Sequence, residues 1–492
     1  MSRRWLTAAL VFCIFSAACS QLGVEDTTPS EPTVTSSSYE PIEREANEYS
    51  EADEQTGTGT TGAVGADGIG DRLFPDLGNG GYDVSHYDLT LDVFDELTAT
   101  ARITLTPTVD LDRFSLDFIG LEVDAISVNG DPTSFGRAGS ELRVDPQAVL
   151  KANEVAEVIV EYHGQPQPLD DPAAPLALGW RTEQWGTFTF SEPIGSATWF
   201  PSNDHPLDKA TYTFTVSVPA GQVAVASGTL TDRTDRGDRS TFVWEIDQPM
   251  ATYLASVATG RFDIVTDREG PVLIRNVFPS ERADDLLVRI DDTDAMMRLF
   301  IELFGPYPFD VYGIIVVDAD LSGAPALENQ TLSVFSLRLF TRSSDGFLRK
   351  TLAHELAHQW FGNHVSVGDW GDIWLNEGFA SWAELYWAEQ VGLGSFDEEA
   401  ARDYPPLLGR SVETLFDSEV YTRGALALEA LRRTVGDDAF FDLLRTWVAR
   451  FGGGSATTED FFSLVDEQLG PIALALVDSW VNDKAMPDLP SS

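Results

Sequence analysis

The spacing of apolar residues divides the chain into four stretches. Residues 1–19 open with Arg3 and Arg4, run apolar from Trp5 to Phe15, and finish in small residues before Cys19. Residues 20–78 carry few aliphatic side chains, and none at a spacing that would bury one face. From Tyr82 a period of two sets in. His86–Phe94 (HYDLTLDVF), Ala99–Thr108 (ATARITLTPT) and further short runs alternate apolar and polar up to about Asp247, separated by Gly, Asn, Asp and Pro. This pattern predicts nine or more strands and no long helix, so residues 79–265 read as a β-rich domain, a sandwich or a saddle. From residue 266 the pattern turns mixed. Val311–Val317 predicts a continuous buried strand, and helical spacing then dominates to the C-terminus, as in VGDDAFFDLLRTWVARF, TTEDFFSLVDEQLG and IALALVDSWVND. Residues 266–492 read as a second, α/β domain.

Charge narrows the partners. The 492 residues hold 32 Lys and Arg against 79 Asp and Glu, a formal net charge of −47. Such a surface repels phosphate backbones, so nucleic acid is not an expected partner. Thirteen acidic and two basic residues fall within 20–78, the composition of a disordered tether. Both cysteines, Cys13 and Cys19, lie in the first stretch, so the folded part holds no disulfide. Residues 1–19 have the pattern of a signal peptide, too short for a membrane span with its flanks. The placement of Cys19 resembles a bacterial lipobox, with Ser16 where Leu is usual at position −3. The readings left open are export with a lipid anchor at Cys19, plain secretion, and a retained N-terminal anchor.

The chemistry concentrates in Leu348–Trp387. His354 and His358 are four apart, which on a helix puts both imidazoles on one face. Paired neutral imidazoles suit Zn²⁺. Glu355, next to the first His, is placed to act as general base toward an attacking water without itself ligating. Glu377 follows His358 by nineteen positions, after a loop rich in Gly, Asp and Trp, at the start of a second helix. Folded back, that helix delivers a third ligand and leaves one position open, as a catalytic site requires. Glu384, seven residues on, shares the Glu377 face. It reads either as the partner of a ligand His nitrogen or as an ordinary polar residue. His364 is not counted as a fourth ligand, because that would close the site. His205, in the Pro-rich loop Trp199–Phe214, reads as structural.

HELAHQWFGNHV followed by LNEGFASWAE resembles the zinc aminopeptidase family of aminopeptidase N and leukotriene A-four hydrolase, the gluzincin clan. The resemblance spans about residues 80–492. It implies an N-terminal β-sheet saddle and a thermolysin-like catalytic domain, with one Zn²⁺ on His354, His358 and Glu377 and with Glu355 activating water. The family's G-x-M-E-N segment corresponds to Pro325-Ala326-Leu327-Glu328-Asn329, which implies that Glu328, with Asn329, binds the free α-amino group of a peptide. Pro325 and Leu327 replace the Gly and Met. Val420-Tyr421-Thr422-Arg423-Gly424 resembles the segment that carries the family's oxyanion-stabilising tyrosine, which gives that role to Tyr421. Glu192 falls in the loop that helps line the first specificity pocket, and Phe190 stands where the family usually has Gln.

Only about 115 residues follow Glu377, too few for the large C-terminal helical domain of full-length members, so a more open cleft is expected. The function expected is removal of N-terminal residues from peptides. A zinc endopeptidase with an open cleft, an epoxide-hydrolase-like enzyme and a catalytically idle surface-binding relative are its rivals.

Overall fold

The computed structural model describes residues 62–491. The expectations for residues 1–61, namely the signal peptide, the Cys19 anchor and most of the acidic tether, lie outside them.

The alternating runs fold as expected. Tyr82–Val93 buries Tyr82 and Val84 and, after a bulge between Val84 and His86, Tyr87, Leu89 and Leu91; it lies between Leu97–Pro107, its antiparallel neighbour, and Ala210–Pro219, its parallel one. These strands sit inside an eight-stranded sheet, and two four-stranded sheets complete the β-rich part. The catalytic part has a six-stranded mixed sheet in which Ile314–Val317 lies between Leu273–Pro279 and Ser333–Ser336. The two-residue strand Ala326–Leu327 closes its edge, and Glu328 follows directly.

Three expectations change. Residues 62–78 were expected to be tether, yet they are folded. Asp71 is buried and accepts from the main-chain nitrogens of Leu73, Phe74 and Trp370, while its Oδ2 lies 3.1 Å from His205 Nε2. Arg72 pairs with Asp369 and Asp372 at 3.0 and 2.8 Å. The averaged acidity of the stretch hid these few anchors. His205 is structural, as its loop setting suggested. The seam between domains falls before Phe262 rather than after 265, because Phe262–Asp267 pairs with Leu273–Pro279 in the catalytic sheet. The strand expected over Val311–Val317 breaks at Gly313 into Val311–Tyr312 and Ile314–Val317. A Cβ at that glycine would collide with the Arg275 carbonyl, so the chain passes too close for a side chain.

Candidate active site

Three helices converge on one point. The histidine helix, Asp345–Ala357, starts at Ser344, whose hydroxyl accepts from the Phe347 main chain, and His358 forms its C-terminal cap. The glutamate helix is Trp374–Gln390. The tyrosine helix is Ser418–Val435. The last two cross at glycines. A Cβ on Gly378 would sit 2.8 Å from Cα of Gly424, and one on Gly424 would sit 2.7 Å from Cα of Gly378. Only residues without side chains allow this approach, and it brings Glu377 and Tyr421 to His354.

The Nε2 atoms of His354 and His358 lie 3.0 Å apart, and Glu377 Oε2 lies 3.2 Å from the first and 3.4 Å from the second. Tetrahedral zinc with bonds of about 2.0–2.1 Å holds its ligand atoms about 3.3–3.4 Å apart, so the triangle has the right size. Each outer nitrogen faces an oxygen. His358 Nδ1 lies 3.0 Å from the Phe361 carbonyl, and His354 Nδ1 lies 3.3 Å from Glu384 Oε2. Protons on both Nδ1 atoms leave two Nε2 lone pairs and a carboxylate facing each other, an arrangement that calls for a cation. Glu384 thus lies beside His354, and its other oxygen lies 3.1 Å from Lys350 Nζ.

Further carboxyls crowd the same pocket. Glu192, Glu328 and Glu377 offer carboxylate oxygens within 4.8 Å of one another, and so do Glu328, Glu355 and His358 with one atom each. All are buried. Burial pushes the Glu355 carboxyl up to about 8, against the pull of the two histidines. Burial raises Glu192 well above the carboxylate range, and Glu328 and Glu377 add to it. Glu377 behaves oppositely. Burial opposes its charge, but His358 and His354 outweigh it and hold the carboxyl at about 2. His354 resists charging through burial, yet Glu377 and Glu384 lift it well above the imidazole range. Burial thus favours the neutral forms of Glu355 and Glu192, and a cation entering the pocket would let them ionise. Oε1 of both Glu192 and Glu328 is buried without a hydrogen-bond partner. Tyr421 stacks its ring 5.9 Å from that of His354. Burial and the nearby carboxylates raise its hydroxyl well above 10, so it stays a donor.

The chain matches the Peptidase M1 N-terminal domain over residues 84–254 and the Peptidase family M1 domain over residues 289–480. The crystal structure of an M1 zinc metallopeptidase from Deinococcus radiodurans superposes with a TM-score of 0.79 at 34% identity, covering 86% of this chain and 99% of that one. The chain belongs to the M1 peptidase family. Aminopeptidase M1 of Arabidopsis thaliana is 26% identical over 449 residues, which cover 82% of this chain and 50% of the relative. Aminopeptidase 2 of Candida albicans is 23% identical over 443 residues, which cover 82% and 47%. This M1 chain spans between 36% and 54% of the length of such curated relatives.

Of the residues singled out in the sequence, His354, His358, Glu377, Glu355, Glu328, Glu192 and Tyr421 lie around this one pocket. Asn329, expected to bind substrate beside Glu328, donates through Nδ2 to the Leu254 carbonyl at 3.2 Å and so ties its turn to the β-rich domain. Phe190 is packed into the core. Pro325 stands just before the edge strand, where a missing N–H breaks no ladder bond, and its carbonyl accepts from the main-chain nitrogen of Ser336 at 2.9 Å. Sequence reasoning passed over Tyr253, whose hydroxyl lies 3.5 Å from Asn376 Nδ2 and whose phenol feels Glu328, Glu192 and Glu377. It also gave no role to Gln359. The signal available was a run of polar side chains at the buried end of the histidine helix.

Proposed function

We propose that the chain is a zinc aminopeptidase that removes the N-terminal residue of peptides. The observation that carries this reading is the pair of buried carboxylates, Glu328 and Glu192, each with an unpartnered oxygen beside the zinc ligand Glu377. Burial pushes both carboxyls toward their neutral forms, and the free ammonium of a peptide N-terminus supplies the cation that lets them ionise, at a fixed distance from the scissile bond. An endopeptidase needs a neutral passage at that end. A variant of the Deinococcus radiodurans relative has been crystallised with a Tyr-Ser-Ala substrate, which supports peptides as the substrate class.

His354, His358 and Glu377 would hold the zinc, which when bound polarises a carbonyl and makes water a nucleophile near neutral pH. Glu328 and Glu192 bind the ammonium and set which bond lies in reach. Glu355 takes a proton from the attacking water and passes it to the leaving amine. Tyr421 donates its hydroxyl to the oxygen on which negative charge develops. Glu384 and the Phe361 carbonyl keep each ligand histidine in the tautomer that exposes Nε2.

A panel of aminoacyl amides and matched N-acetylated peptides tests this. The zinc-loaded protein should cleave the free amines selectively, and Glu328→Ala should lose most of that preference. Equal cleavage of blocked and free substrates by the unaltered protein would overturn the exopeptidase reading.

The chain is also proposed to be exported and anchored through a lipid on Cys19. Arg3, Arg4, the apolar run and the small residues before Cys19 support this. Among the described residues no helix is long and apolar enough to cross a membrane. Labelled fatty acid should enter the protein in a bacterial host and fail to enter Cys19→Ala. Label in both would exclude that site.

A further inference from the structure

Glu328 can select an amine only if its position relative to the zinc ligands is fixed, and its own side chain does not fix it. It follows a two-residue edge strand, and its Oε1 has no hydrogen-bond partner. What is held is its main chain. The Glu328 carbonyl accepts from Asn363 Nδ2 at 2.7 Å and from Gln359 Nε2 at 3.1 Å. Both donors are buried, and they lie one and five residues beyond the ligand His358. The other end of the Gln359 amide also works on this turn. Its Oε1 accepts from the main-chain nitrogen of Thr331 at 2.9 Å, and Thr331 sits at φ 67°, a conformation a β-branched residue keeps only when held. Asn363 is itself fixed from behind, because Lys209 Nζ donates to its carbonyl at 2.8 Å and to those of His364 and Gly454 at 3.1 Å each.

We propose that Asn363 and Gln359 are positioning residues that clamp the Glu328 carbonyl and so set the distance between the amine-binding carboxylate and the zinc. The inference rests on the aminopeptidase reading. It adds that selectivity for a free N-terminus is decided at the end of the histidine helix, by two amides that touch neither metal nor substrate. Together they saturate one carbonyl, so losing either loosens the turn that carries Glu328 on the side facing the histidine helix, while the residues on that helix stay where it puts them.

The test uses zinc-loaded full-length protein, with zinc stoichiometry and Tm measured alongside kinetics on an aminoacyl amide and an N-acetylated peptide. Asn363→Ala should lower kcat/KM for the free amine by at least about tenfold, mostly through KM, as expected for a displaced binding group. Cleavage of the acetylated peptide should change far less. If Asn363→Ala does not fold or load zinc, Gln359→Leu, which keeps most of the volume and removes both the donor to Glu328 and the acceptor for Thr331, carries the same expectation. A merely structural role would lower both substrates by one factor, and that result, or an unchanged ratio, overturns the clamp. Failure of the unaltered protein to prefer free amines overturns the aminopeptidase reading instead.

Discussion

Replacing Gly424 by Ala probes the helix crossing that assembles the site. The added Cβ would lie 2.7 Å from Cα of Gly378, whereas carbons in contact rest about 3.5–4.0 Å apart. The obstacle is backbone, so no rotamer change relieves it, and the two helices must part by about 1 Å. Overpacking of this kind costs about 1–3 kcal/mol. For a chain of this size that lowers Tm by only about 1–4 °C, since the entropy of unfolding grows with length. The effect on catalysis is expected to be larger. Gly378 adjoins the ligand Glu377, and Gly424 lies three residues after Tyr421. A shift of about 1 Å in such groups costs roughly 100-fold in rate. The assay is kcat on an aminoacyl amide with zinc stoichiometry and Tm measured on the same sample. Activity within about threefold of the unaltered protein would show that the glycine contact does not set the site.

Tyr421→Phe should reduce kcat by roughly 100- to 1,000-fold with little change in KM, because the hydroxyl acts on charge that develops only during reaction. A change confined to KM would count against that role. Glu384→Ala should weaken zinc affinity by about 10- to 100-fold in competition with a chelator, because His354 Nδ1 loses the carboxylate 3.3 Å away. Unaltered affinity would assign Glu384 to Lys350 alone. Burial raises Asp204 to about 6 and Asp208 to about 7, so folding favours their neutral forms. The stability they contribute is complete below about pH 4 and is lost as pH rises through these values. Tm should therefore fall from about pH 4 to about pH 7, less steeply in Asp208→Asn, and an equally steep slope in that variant would contradict the assignment.

The sequence by itself singled out the candidate ligand set. Two histidines four apart lie on one face of any helix, and a carboxylate nineteen residues on, at the start of a second helix, has few other uses. It also determined the two-part architecture, because periods of two and of 3.6 are local properties of the chain. Tertiary structure decided the rest, since long-range contacts leave little periodic trace. Nothing in residues 62–78 announces that Asp71 reaches Trp370, nearly three hundred residues away, and the seam at Phe262 depends on which sheet a strand joins rather than on its own pattern. The Gly378–Gly424 crossing, the amides that grip the Glu328 carbonyl and the partnerless carboxylates around the zinc ligands all depend on how separate elements pack. A pattern along the chain records which side chains are buried, but it does not record what each one meets there.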